Sequence, residues 1–164
     1  MWQEIETLNK YDHPNIVTVL DFCEDNYFIY IVFELMPSGD LMKNIGKIKS
    51  SLVTPGIVEV EGVVSNIMHQ VILAITFLHR QGCVHRDLKP DNVLVKYERN
   101  NDNSSIATCK VTDFGFAKTF DQDTKMSLTL GTAPYMAPEL LKKSKYDEKV
   151  DIWAIGVMTY YLIF

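Results

Sequence analysis

The sequence predicts an α+β fold, and three observations predict it. Two β-rich runs, Ile16 to Phe22 and Tyr27 to Phe33, flank the polar stretch Cys23 to Asn26, the pattern of an antiparallel hairpin. From about Glu61 to Arg80, the residues Val64, Ile67, Met68, Val71, Ile72, Ile75 and Leu78 recur at the helical period, so one face of a long helix is core. From about Val150 the chain is almost wholly apolar, which predicts a buried helix. The stretch Ile152 to Phe164 is too short to span a bilayer, which needs roughly 17–25 residues.

The remaining elements follow in order. Trp2 to Lys10 reads as a helix with Ile5 and Leu8 on one face, stopped by Asp12 to Asn15, "DHPN", because proline disfavours helix in the residue before it. Met36 to Asp40, "MPSGD", is a turn, and a short helix from Asp40 to about Lys47 follows it. Ser50 to Gly56 is a loop with a Pro-Gly break, and Gly82 ends the long helix. Asn92 to Val95 reads as a short strand, and Lys96 to Thr108, rich in Asn and Ser, as an exposed loop. Cys109 to Thr112 reads as a strand, Gln122 to Gly131 as a mobile loop, and Glu139 to Lys143 as a short helix. No internal repeat is present.

Composition narrows the partners. The chain has 164 residues, 47% hydrophobic and 23% charged, which suits a globular domain or a piece of one. A net charge of −5 argues against nucleic acid or an anionic membrane as the main partner. Cys23, Cys83 and Cys109 are widely separated, with no CxxC and no His at ligand spacing, so neither a zinc site nor a disulfide framework is expected. They read as buried free thiols of a reducing compartment, and the N-terminus does not read as a signal peptide, so a cytoplasmic location is expected. The sequence does not specify an oligomeric state.

Three motifs carry chemistry: His85-Arg86-Asp87 with Lys89 and Asn92, then Asp113-Phe114-Gly115, then Ala137-Pro138-Glu139. An Asp beside an Arg is usually a surface ion pair, and a lone Asp-Phe-Gly is usually a turn. Together and in this order the motifs resemble the eukaryotic protein kinases, from Glu4 to about Leu162. Lys89 and Thr132, the latter in "GTAPY", resemble the serine/threonine type. "HPNIV", "SGDL" and "DIWAIGVMTYYL" are most similar to the calcium/calmodulin-dependent kinase group.

The resemblance implies a kinase-like fold with part of each lobe. Residues 1–35 would be a helix and a hairpin of the small lobe with the start of the hinge, and residues 36–164 an incomplete, mainly helical large lobe. It implies transfer of the ATP γ-phosphoryl group to Ser or Thr of proteins, with Mg²⁺. Asp87 would orient the attacking hydroxyl, Lys89 offset phosphoryl charge, and Asn92 and Asp113 supply the hard oxygen ligands that Mg²⁺ prefers. Glu4 would match the glutamate that pairs with a strand lysine, and Phe33 the gatekeeper. Glu34 to Met36 would match the hinge, Leu94 the residue under adenine, and Asp40 an acid near the ribose. Leu8, Val19, His85 and Phe114 would stack between the lobes, and Asp151 would brace the catalytic loop. Arg86 would pair with a phosphorylated residue, Thr129 first and Ser127 next. Thr124 is a further site, and Thr132 is counted with the regulatory residues.

The chain departs from the family in places. It contains no GxGxxG and no VAIK lysine, so Glu4 lacks its partner, and Glu139 lacks the arginine of a later helix. Three readings stay open: a fragment of an active kinase, a pseudokinase or protein-binding module without catalysis, or a remnant without a stable fold. The intact motifs favour the first, with these residues alone expected to be inactive or nearly so.

Overall fold

The computed structural model describes residues 10–50, 57–99, 105–115, 117–119 and 131–164. The predicted first helix apart from Lys10, and most of the Gln122–Gly131 segment, lie outside these residues. With them go Glu4, Leu8, Thr124, Ser127 and Thr129.

Strands β1 (Val19–Glu24) and β2 (Ile29–Phe33) form the expected antiparallel hairpin. Asp25 builds its turn, because Oδ1 accepts the Tyr27 and Phe28 N–H groups at 2.7 Å each. Those bonds, with one from the Tyr30 hydroxyl, hold the Asp25 carboxyl below its usual range. The first strand starts at Val19 and not at Ile16. Ile16 and Val17 are buried, and the Val17 N–H donates to the Val111 carbonyl at 3.0 Å. An apolar run cannot by itself separate a strand from a buried connection.

Helix α1 (Leu41–Ser50) begins after Asp40, whose Oδ1 accepts the Lys43 N–H at 2.8 Å as an N-cap. It runs past the predicted end at Lys47. Helix α2 (Ile57–Arg80) begins earlier than its apolar pattern indicated and ends at Gly82, which has φ +69°. Val64, Ile67, Met68, Val71, Ala74, Ile75 and Leu78 are buried at the centre of the core. Ile72, assigned to that face, is 44% exposed, since one residue turns a helix by roughly 100° and carries it off the stripe. Residues Glu61–Arg80 are also long and apolar enough to cross a membrane, with mean hydropathy 1.4, and the packed face accounts for much of that apolarity.

Strand β3 (Cys83–Val84) pairs with β6 (Lys118–Thr119), and β4 (Val93–Arg99) pairs with β5 (Ser105–Val111), both antiparallel. The second pair corrects the expected loop over Lys96–Thr108. Its flanks are ladder from Lys96↔Thr108 to Arg99↔Ser105, and only 100–104 lie outside the described residues. Backbone pairing joins two polar strands without needing an apolar pattern. Helix α3 (Pro138–Leu141) is shorter than predicted, with Lys143 at φ +54° beyond its end. Helix α4 (Lys149–Ile163) buries Val150, Ala154, Ile155, Met158 and Leu162.

Cys83 and Cys109 are buried free thiols as expected, whereas Cys23 on β1 is exposed. Burial pushes the Cys83 thiol up to about 11 and the Cys109 thiol up to about 12, so neither is a thiolate near neutral pH.

Candidate active site

The segment after β3 is held from below. Asp151, 1% exposed on α4, accepts the Arg86 N–H on Oδ1 and the His85 N–H on Oδ2, both at 2.9 Å. The His79 Nε2–H adds a bond to Oδ2 at 2.8 Å from the end of α2. One buried carboxylate therefore ties two helices to the loop between them. Arg86 takes φ +71°, an uncommon conformation for a side chain of this size, and these bonds over-determine it.

His85 has a structural position. The Asp87 N–H donates to its Nδ1 at 3.3 Å, so the ring hydrogen sits on Nε2 and donates to the Thr112 carbonyl at 3.0 Å. Its ring lies 5.1 Å from that of Phe114, which is buried. Half-buried Val19 packs on the same core.

Asp87 is 4% exposed and surrounded by donors. Oδ1 accepts the Thr132 hydroxyl at 2.7 Å, and Oδ2 accepts the Lys89 ammonium at 2.8 Å and an Asn92 amide hydrogen at 3.3 Å. Lys89 also donates to Thr132 Oγ at 2.9 Å. Thr132 arrives from a distant stretch of chain and closes a ring with Asp87 and Lys89, which its motif context did not reveal. Gly131 makes this approach possible. A Cβ there would lie 2.6 Å from the Arg86 carbonyl oxygen, and its φ is +120°. Gly131→Ala is expected to cost about 1–3 kcal/mol and to move Thr132 off Asp87. Equal urea midpoints for the two proteins would refute this.

Asn92 donates to the Asp87 carbonyl at 2.9 Å, which turns its amide hydrogens inward and leaves Oδ1 as its acceptor. The Thr112 N–H donates to the Asn92 carbonyl at 3.0 Å, so the residue before Asp113 is anchored beside Asn92. Asp113 is exposed, at φ +63°, with Oδ1 accepting the Gly115 N–H at 3.3 Å. Amide and carboxylate oxygens suit Mg²⁺, which takes few protein ligands and fills its shell with phosphate oxygens and water. Among the described residues no group of three or more His, Cys, Asp or Glu could hold a metal.

The segment that follows the predicted linker runs beside β4. Phe33 is partly exposed, Met36 is buried, and Leu94 packs half-buried on the core. Asp40 bridges Leu94, and the Val95 N–H donates to the Gly39 carbonyl at 2.8 Å. Lys43 pairs with the Asp40 carboxylate at 2.7 Å. Burial pushes the Asp40 carboxyl up, and its bonds with Lys43 more than offset that, leaving it below the usual range.

Glu34 pairs with Lys110 at 2.6 Å. Burial pushes the Glu34 carboxyl up, yet the bonds from Lys110 and Thr18 hold it below its ordinary 4.5. Its contribution to stability is therefore present above 4.5 and is lost as pH falls through the lower folded value. Glu34→Gln is expected to flatten the acid limb of stability against pH, and parallel limbs in denaturant titrations would contradict this.

Arg86 donates from Nη1 to the Tyr146 hydroxyl at 3.3 Å and is 8% exposed. A separate groove of about 680 Å³, lined by Trp153, Val157 and Tyr160 of α4, contains Glu139 but none of the Asp87, Lys89, Asn92 and Asp113 group.

The chain is similar to known proteins along its whole sequence. Residues 1–164 match the protein kinase domain. Ribosomal protein S6 kinase 2 alpha of Gallus gallus is 39% identical over 163 residues, covering 98% of this chain and 20% of that protein. Calcium/calmodulin-dependent protein kinase type 1 of Caenorhabditis elegans is 39% identical over 160 residues, covering 98% of this chain and 42% of that protein. For myosin light chain kinase A of Dictyostelium discoideum the identity is 36%, covering 98% and 50%. The chain thus spans from a fifth to half of these relatives' lengths. With its full length matched, the chain belongs to the protein kinase family.

Proposed function

We propose that the chain carries the catalytic segment of a protein serine/threonine kinase, which transfers the ATP γ-phosphoryl group to hydroxyls of protein substrates. The observation that carries this reading is Asp87. A buried carboxylate is held by Lys89, Thr132 and Asn92 with both oxygens in use. Such a group is preorganised to receive a hydroxyl proton, while Lys89 supplies positive charge beside it. A serine or threonine hydroxyl reaching Asp87 would replace the bond from Thr132. Asn92 and Asp113 would hold Mg²⁺, which offsets the charge of the phosphates when bound. Met36 and Glu34 would offer backbone groups to the base, and Leu94 and Asp40 would flank the nucleoside.

Arg86 would receive a phosphate on Thr129 or Ser127, adding a charge-assisted contact at the loop that contains Asp87. Mass spectrometry of active protein with no phosphate between Thr124 and Thr129 would count against this role.

The test is phosphate transfer from labelled ATP to a serine- and threonine-containing peptide library. Asp87→Asn is expected to lower the rate by about 10²–10⁴-fold, the range for loss of a positioned base. A rate unchanged by that substitution would end the reading. The alternative is a pseudokinase or protein-binding module without catalysis. It predicts Mg²⁺-dependent ATP binding in calorimetry with no transfer.

A further inference from the structure

The pair between Glu34 and Lys110 joins residues 76 positions apart, and neither belongs to the motif cluster. The Lys110 and Glu34 side chains are 14% and 27% exposed, so the pair is screened less than a surface one. Glu34 Oε1 accepts both the Lys110 ammonium at 2.6 Å and the Thr18 N–H at 2.8 Å. The Glu34 N–H returns a bond to the Thr18 carbonyl at 3.0 Å. Glu34 is therefore fixed by both its side chain and its backbone.

Lys110 lies on β5, opposite Leu94 of β4, and three residues before Asp113. The next residue, Val111, is held on both sides, donating to the Asn15 carbonyl at 2.8 Å and accepting the Val17 N–H at 3.0 Å. The stretch from Asn15 to Thr18 thus bonds Glu34 at one end and Val111 at the other. The ion pair closes the ring.

We propose that Lys110 is a positioning residue, and that its pair with Glu34 clamps the linker at Phe33–Met36 to the strand leading into Asp113. A ligand spanning the two segments meets a surface ordered beforehand, and so loses less entropy on binding. The expected ligand is a nucleoside triphosphate with Mg²⁺, and this clause rests on the kinase reading above.

Two measurements on the 164-residue chain test it. The first is native hydrogen exchange by mass spectrometry without ligand. Lys110→Met is expected to speed exchange at 33–36, and Glu34→Gln, which keeps an acceptor for Thr18, to speed it at 110–113. Lys110→Arg, which keeps the positive charge, is expected to retain protection. Acceleration confined to each variant's own segment overturns the clamp, as does equal acceleration in α4, which reports a general loss of stability.

The second measurement is Mg·ATP affinity by calorimetry. Each single variant is expected to weaken binding by about tenfold, within the usual range of coupling between two sites, and the double variant Glu34→Gln with Lys110→Met by no more than either. Single variants that bind like the parent, or effects that multiply in the double variant, overturn the clamp's role in affinity. A parent chain that binds no Mg·ATP refutes the nucleotide reading instead, while the exchange measurement still decides the clamp.

Discussion

Asp151→Ala is expected to lower stability by about 3–5 kcal/mol, the cost of removing one partner from a buried charged network. Asp151 is 1% exposed and takes hydrogen bonds from the His85 and Arg86 N–H groups and from His79. Alanine accepts none of them. Each buried donor left without a partner costs about 1–3 kcal/mol. The loss falls on the segment that holds Arg86 at φ +71°, so the loop should relax and release Asp87 from Lys89 and Thr132. Asp151→Asn gives the control, since it keeps one oxygen and turns an amide toward donors, and it should fall between alanine and the parent. Urea unfolding of the three proteins measures this. A loss for alanine below about 1 kcal/mol would show that the backbone is held some other way.

The second large effect is at the exposed carboxylate beside the loop. Asp113→Ala is expected to weaken Mg²⁺-dependent ATP binding by at least about tenfold. Removing even an outer-shell partner of a metal typically costs 10–100-fold, and Asp113 is read as a direct ligand. Stability should change little, because Asp113 is exposed and, among the described residues, bonds only through a weak 3.3 Å contact with the Gly115 N–H. The φ of +63° adds a small cost of its own, because aspartate, whose short side chain bonds locally, takes the left-handed region more readily than alanine. Calorimetry with and without Mg²⁺ separates the two components. Binding that keeps its metal dependence in the variant would remove Asp113 from the ligand set and leave Asn92 to account for it.

The hairpin, the apolar stripe of α2 and the motif residues were legible because each is written in local spacing. Asp87, Lys89 and Asn92 lie within six residues, and the structure gathers them round one carboxylate. Ile72 and the Lys96–Thr108 segment were misread for a related reason. A residue at the edge of a stripe and a polar strand both lack a decisive pattern, and packing or backbone pairing decides them.

By itself, then, the sequence determined the family, the hairpin, the long core helix and the residues of the motifs. Side-chain chemistry and short-range periodicity are local properties, and they survive without coordinates. Only the tertiary structure decided that Thr132 closes on Asp87, that His79 joins Asp151 under the loop from 72 residues away, and that Lys110 reaches Glu34. Those contacts join polar residues with no repeat to announce them. Their partners are chosen by how the strands and helices bury their apolar faces, and that is settled only when the whole core has packed.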